Sequence, residues 1–112
     1  MKLSITVRET AGVTVLQLSG VIVFGIQTLA EQVRQLQAEN KRMILLNLAQ
    51  LDYVDSSGVG ELITALTIMK RVGGQLKLSN AGSFLREILR ITKTQNILEL
   101  YDTEEEALAH FS

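Results

Sequence analysis

One stretch of the chain, Met43–Leu48, restricts the fold more than any other. Its six residues are apolar except for Asn47. A continuous apolar run suits a strand covered on both faces, as in the middle of a sheet flanked by helices. After the predicted loop 49–54, apolar residues recur at helical spacing from Val59 to Val72. The sequence therefore predicts a central strand, a loop and a long helix, an order found in α/β proteins.

The remaining patterns add strands before this unit and further elements after it. Alternation on both sides of Ala11-Gly12 predicts a β-hairpin, because glycine between alternating segments is typical of one. The other predicted elements are a helix from a Thr28/Glu31 capping box to Asn40, a strand at 75–79, a helix beyond Asn80, a short strand at 97–101 and a last helix with a Thr103/Glu106 capping box. We expect one α/β domain over residues 1–112, a mixed central β-sheet of roughly four to five strands with about four helices packed against it.

Composition excludes several classes of function. The chain has no cysteine, which excludes disulfides, thiolate metal sites and cysteine nucleophiles. Its net charge is −1 and its lysines and arginines are scattered, so we expect no direct binding of nucleic acid. Its apolar runs fall far short of the ~20 residues that span a bilayer, and the N-terminus does not lead into a signal peptide. We expect a cytoplasmic protein with no membrane insertion, metal or cofactor.

The most informative segment is Val54–Gly60, where the strand and loop give way to the second helix. The first N–H groups of a helix lack partners within it, and with the helix dipole they favour an anion or a hydroxyl oxygen. Ser56 and Ser57 stand at this position, and Asp55 or a serine could simply cap the helix. Capping does not explain Gly58 and Gly60, which cost about 1 kcal/mol each in a helix relative to alanine. Glycines at these positions would let a second molecule approach the backbone closely.

This segment resembles the core signature of the STAS domain and of the bacterial anti-sigma factor antagonists. The matching residues are Met43–Leu48 followed by Leu51–Gly60, with support from Gly20, the Thr28-capped helix and the closing segment Asp102–Leu108. The resemblance implies the STAS-like fold and a role as an anti-sigma factor antagonist, which regulates transcription by partner switching. In that cycle the antagonist binds an anti-sigma factor that is also a serine kinase, is released when phosphorylated, and is reset by a serine phosphatase.

The same resemblance assigns roles to individual residues. It makes Ser57, the serine immediately before the glycine, the phosphorylation site. It also implies that Asp55 and Ser56 contact the kinase, and that Gly58, Val59 and Gly60 belong to the partner-binding segment.

One departure from the family pattern concerns the end of the second predicted strand. Many antagonists have acidic residues after the glycine there, where this chain has Val21–Phe24. Those residues either extend the strand into the core or form an exposed apolar patch for a homodimer or a larger assembly. The sequence leaves both possibilities open.

Other functions have less support. We expect no enzyme, because His110 is the only histidine, Glu104–Glu106 suit the start of a helix, and Gly58-Val59-Gly60 lacks the lysine of a phosphate loop. The stronger alternative is a STAS adaptor or accessory subunit of a membrane transporter or another regulatory complex, without phosphoswitching. The two binding roles differ in one expectation: Ser57→Asp should release the partner of a switch, whereas an adaptor should tolerate it.

Overall fold

The computed structural model describes residues 2–23 and 27–112. In these ranges, helices pack on a five-stranded sheet with the strand order β1-β2-β3-β4-β5, as predicted for an α/β fold with a mixed sheet. The elements are β1 (Leu3–Thr10), β2 (Val13–Ile22), α1 (Thr28–Ala38), β3 (Met43–Val54), α2 (Ser56–Arg71), β4 (Gln75–Ser79), α3 (Ser83–Ile91), β5 (Leu100–Tyr101) and α4 (Glu104–Leu108).

The sheet is mixed because its first strand alone runs against its neighbour. β1 and β2 form an antiparallel hairpin, and β2 to β5 are parallel. The hairpin turns at Ala11 and Gly12, both of which have positive φ (53° and 80°). Two successive residues of positive φ match the type I′ turn, whose twist fits that of the flanking strands. The predicted hairpin is thus confirmed.

Both faces of β3 are covered, as its apolar run predicts. Ile44 and Leu46 belong to the main core, which also holds the buried residues of α1, α2 and α3. Leu45 faces the opposite side and packs in a smaller cluster with Val15 and with Ala107 of α4. β3 also lies at the centre of the strand order.

Two predicted boundaries are wrong. β3 does not end at Leu48 but continues through the predicted loop to Val54, because β2 remains alongside it as a pairing partner up to Ile22. Register shifts in this second half break the alternation that would otherwise identify a strand. The last strand is shorter than predicted, since only Leu100 and Tyr101 pair with β4.

The end of β2 resolves part of the question about Val21–Phe24. Val21 and Ile22 are the last two residues of β2 and are 3% and 0% exposed. They extend the strand into the core, so an exposed patch at these two residues is excluded. Val23 is half-buried, and Phe24 lies outside the described residues.

α4 is held against the sheet by its own cap and by Glu104. The Thr103 hydroxyl oxygen accepts a hydrogen bond from the Glu106 N–H (3.1 Å), which confirms Thr103 as the N-cap. The Glu104 carboxylate accepts hydrogen bonds from Arg8 of β1 and from the Asn47 amide of β3 (2.9 Å each). The Arg8 hydrogen bond is the main cause that lowers the pKa of Glu104. Asn47, the one polar residue of the apolar run, therefore has a structural role.

Candidate functional site

The candidate site lies where β3 passes into α2, at the end of the sheet formed by the carboxyl ends of β2 and β3. Ile22 of β2 is in register with Val54 of β3. The next backbone N–H, that of Asp55, donates to the Ile22 carbonyl oxygen (3.3 Å). The start of α2 is consequently attached to the end of the neighbouring strand.

Asp55 is the N-cap of α2. Its backbone is extended, and its Oδ1 accepts a hydrogen bond from the Gly58 N–H (2.7 Å). This contact satisfies one of the N–H groups that have no partner inside the helix. The sequence left Asp55 and the two serines as candidates for the N-cap, and the structure shows that Asp55 is the N-cap.

Ser56 and Ser57 are the first two residues of α2, and both are exposed. Because Asp55 caps the helix, neither serine is needed as its N-cap. Ser57 thus presents its hydroxyl to solvent at the positive end of a sixteen-residue helix. A phosphate is well tolerated at such a position, since unpartnered N–H groups and the dipole both favour an anion there.

The structure corrects the interpretation of Gly58. A Cβ at this position would lie 2.1 Å from the Ile22 carbonyl oxygen, so the absent side chain makes room for the protein's own β2. Gly58 is buried in the free domain, so the missing side chain is explained by packing within the protein. A partner contact at Gly58 remains a prediction.

Val59 is also part of the scaffold. Its side chain is 2% exposed and belongs to the main core. The Val59 side chain is therefore not exposed in the free domain, and a partner contact at Val59 remains a prediction. Gly60 is different, because it is exposed and a Cβ there would meet nothing within 4 Å. A partner contact at Gly60 remains a prediction.

Glu61, which the sequence analysis did not single out, connects the site to α1. Its Oε1 accepts a hydrogen bond from the Ala30 N–H (3.0 Å) in the first turn of that helix. The predicted Thr28 capping box is wrong: α1 begins at Thr28, and its N-cap, Gln27, makes no side-chain capping bond. A glutamate from the neighbouring helix caps α1 instead, and no local sequence pattern identifies such a partner.

A pair of exposed aromatic residues flanks the same region and was also missed. Tyr53, near the end of β3, stacks on Phe84 of α3 with their ring centroids 5.4 Å apart. The two residues are 43% and 52% exposed. Phe84 lies 31 positions beyond Tyr53 in the chain, so no local sequence pattern indicates that the two rings stack.

The described residues offer little else that resembles a reactive site. In residues 2–23 and 27–112, no group of three or more histidine, cysteine, aspartate or glutamate residues could hold a metal ion. His110 lies away from α2; its ring stacks on Tyr101, and its Nδ1 is 2.9 Å from the Glu106 carbonyl oxygen. No helix in these ranges is both long and apolar enough to cross a membrane.

The STAS domain family model matches residues 4–107 of this sequence. The chain belongs to the STAS domain family. It is 26% identical to the anti-sigma F factor antagonist of Paenibacillus polymyxa over 113 residues, covering 96% of this chain and 94% of that protein. It is 27% identical to the anti-sigma-B factor antagonist of Bacillus subtilis over 101 residues, covering 89% and 92%.

Solved STAS structures share the fold. The unphosphorylated form of the anti-sigma factor antagonist SpoIIAA superposes with a TM-score of 0.70 at 22% identity, covering 95% of this chain and 96% of that one. The phosphorylated form of SpoIIAA, a Bacillus cell fate determinant, gives 0.69 at 21% identity, covering 95% and 97%. These similarities confirm the STAS-like fold expected from the sequence.

Proposed function

We propose that this STAS domain is an anti-sigma factor antagonist whose binding is switched off by phosphorylation of Ser57. The observation that carries the proposal is the exposed Ser57 hydroxyl at the start of α2, beside an N-cap that Asp55 already provides. The matched relatives named as antagonists, over nearly the whole chain, support the same role.

The proposed cycle needs two protein partners. Unphosphorylated protein binds an anti-sigma factor that is also a serine kinase, and this releases a sigma factor. The kinase then phosphorylates Ser57, and a serine phosphatase restores the hydroxyl. The protein acts in the cytoplasm by binding and performs no chemistry of its own.

The exposed part of the site would contact the kinase. Its predicted contacts are Asp55, Ser56, Gly58, Val59 and Gly60. Gly58 and Val59 are buried, so we expect the direct side-chain contacts at Asp55 and Ser56. Phosphorylation would add a charge of about −1.5 to −2 next to Asp55. From Met43 to Met69 the charged residues are Asp52, Asp55 and Glu61, so this segment has no cation to offset that charge.

The added charge gives a physical reason for release. Removing a phosphate dianion from water costs several kcal/mol unless the partner surface offers matching cations. The free domain loses little stability, because the phosphate stands at a helix N-terminus that favours anions. Phosphorylation would therefore weaken the complex far more than it disturbs the fold.

The first test maps phosphate on protein recovered from its native cells with phosphatases inhibited. Intact mass and phosphopeptide sequencing should find phosphate on Ser57, lost in Ser57→Ala and retained in the matched variant Ser56→Ala. A chain that stays unmodified across growth and stress conditions would rule out the switch and favour the adaptor role.

The second test measures binding. Ser57→Asp should abolish binding to a kinase-type anti-sigma factor, while Ser57→Ala should retain it, because alanine adds no charge. Equal binding by the two variants would contradict release by charge.

A further inference from the structure

We propose that Glu61 transmits the phosphorylation state of Ser57 to the start of α1. The inference rests on the proposed phosphorylation of Ser57 and concerns what that modification does inside the domain. It starts from one hydrogen bond between two helices, from the Ala30 N–H of α1 to the Glu61 carboxylate of α2 (3.0 Å).

This hydrogen bond matters because the N-cap residue of α1 does not cap the helix with its own side chain. This N-cap residue is Gln27, and Ala30 is the third residue of the helix. The N–H of that residue has no partner within the helix. The Glu61 carboxylate supplies the partner and also places a negative charge at the positive end of α1.

Glu61 is also close to the proposed phosphate. Ser57 and Glu61 are four residues apart in α2, and residues at that spacing lie on one face with Cβ atoms about 5–6 Å apart. The Cα–Cβ bond of a helical residue tilts towards the N-terminus of the helix, so that of Glu61 points back towards the turn that contains Ser57. Gly58 and Gly60 contribute no side chains that could screen the two groups from each other.

A phosphate on Ser57 would therefore repel the carboxylate that caps α1. Like charges four residues apart on a helix destabilise each other, and the phosphate carries close to two charges. The Glu61 carboxylate then spends less time on the Ala30 N–H, and the first turn of α1 opens more often. Leu29 and Val33 remain anchored in the core, so the effect is confined to the helix start.

The functional consequence is that phosphorylation would alter the start of α1 as well as the start of α2. Gln27, Thr28 and Glu31, at the start of α1, are exposed. A partner that contacts both helix starts would meet the phosphate on α2 and a loosened turn on α1. Phosphorylation would thus change more of the docking surface than the modified serine alone.

Amide hydrogen exchange tests the proposal, with phosphoserine installed at position 57 during synthesis of the protein. The Ala30 amide should exchange about two- to fivefold faster than in unmodified protein. This range is the repulsion of a like-charge i,i+4 pair, doubled because the phosphate carries close to two charges. The Leu78 amide, which donates to the Glu99 carbonyl oxygen inside the sheet, serves as the reference and should not change.

Two matched controls isolate the role of Glu61. Phosphoserine at position 56 brings the same charge to the same helix end but not four residues from Glu61, so it should leave Ala30 exchange unchanged. Glu61→Gln keeps an oxygen acceptor for the Ala30 N–H and removes the charge, so it should abolish the effect of phosphoserine 57. Glu61→Ala should accelerate Ala30 exchange without any phosphate.

The outcomes separate this inference from the proposed function. The inference fails if phosphoserine 57 leaves Ala30 exchange unchanged, if phosphoserine 56 has an equal effect, or if the effect persists in Glu61→Gln. Because the phosphate is installed synthetically, none of these results depends on a cellular kinase. The proposed function is decided separately by the phosphate map of protein from native cells.

Discussion

Alanine substitutions at the two glycines near the start of α2 should have opposite effects on the free energy of unfolding. A Cβ at Gly58 would lie 2.1 Å from the Ile22 carbonyl oxygen, whereas a Cβ at Gly60 would meet nothing within 4 Å. Both residues are in the same helix, two positions apart. Replacing each in turn by alanine therefore compares the same chemical change with and without a backbone clash.

The magnitudes follow from packing and helix propensity. At Gly60, alanine should raise the free energy of unfolding by about 1 kcal/mol, because glycine is that much worse in a helix interior. At Gly58 the same gain is outweighed by overpacking against backbone, which costs about 3 kcal/mol or more when the neighbour cannot move aside. Gly58→Ala should then lose about 2 kcal/mol, and the two variants should differ by about 3 kcal/mol.

Urea denaturation followed by circular dichroism measures this difference. With a slope of about 1–2 kcal/mol per molar urea for a domain of this size, the two midpoints should be separated by roughly 1.5–3 M. Equal stabilisation by the two substitutions would refute the packing argument. It would mean that packing against β2 does not require a glycine at position 58.

Two further predictions concern residues that hold the site and the sheet. Asp55→Ala should lower the free energy of unfolding by about 1 kcal/mol through loss of the N-cap, and the exposed Asp52→Ala should leave it nearly unchanged, both measured by urea denaturation. The hydrogen bond from Arg8 lowers the pKa of Glu104. The ionised Glu104 carboxylate therefore stabilises the fold above the unfolded-chain pKa of about 4.3, and this stabilisation is lost as the pH falls through the lower folded-state pKa. Glu104→Gln should therefore weaken the loss of stability in acid, as followed by thermal unfolding from pH 7 to pH 3, while the exposed Glu105→Gln should leave the acid profile intact.

Local sequence signals predicted the elements whose causes are local. The Ala11-Gly12 turn, the left-handed Asn40 after α1, and the Thr103 cap of α4 all depend on residues within a few positions of one another. The apolar run of β3 predicted a strand covered on both faces, because a strand that packs against apolar layers on both sides has apolar residues at successive positions. The Asp55 cap of α2 is local in the same sense, since it is a contact with a residue three positions away.

The incorrect predictions concern residues whose pairing, capping or packing contact comes from a distant segment of the chain. β3 continues to Val54 because β2 pairs with it. Thr28 lies inside α1 instead of capping it, and Glu61 of α2 accepts the hydrogen bond from the Ala30 N–H. The packing role of Gly58 cannot be predicted from the sequence, because the Ile22 carbonyl oxygen that a Cβ would meet lies 36 positions earlier in the chain.

The sequence by itself determined the strand and helix order, the STAS resemblance and the position of Ser57 at the start of α2. The element order and the position of Ser57 depend on periodicity and capping, which act over a few residues, and the resemblance depends on the residues Met43–Leu48 and Leu51–Gly60. Only the tertiary structure decided which residues of the DSSGVG segment are exposed in the free domain. Ser56, Ser57 and Gly60 are exposed, while Gly58 and Val59 are buried. Exposure depends on which other segments pack against a residue, and here the deciding segments are the end of β2 and the main core.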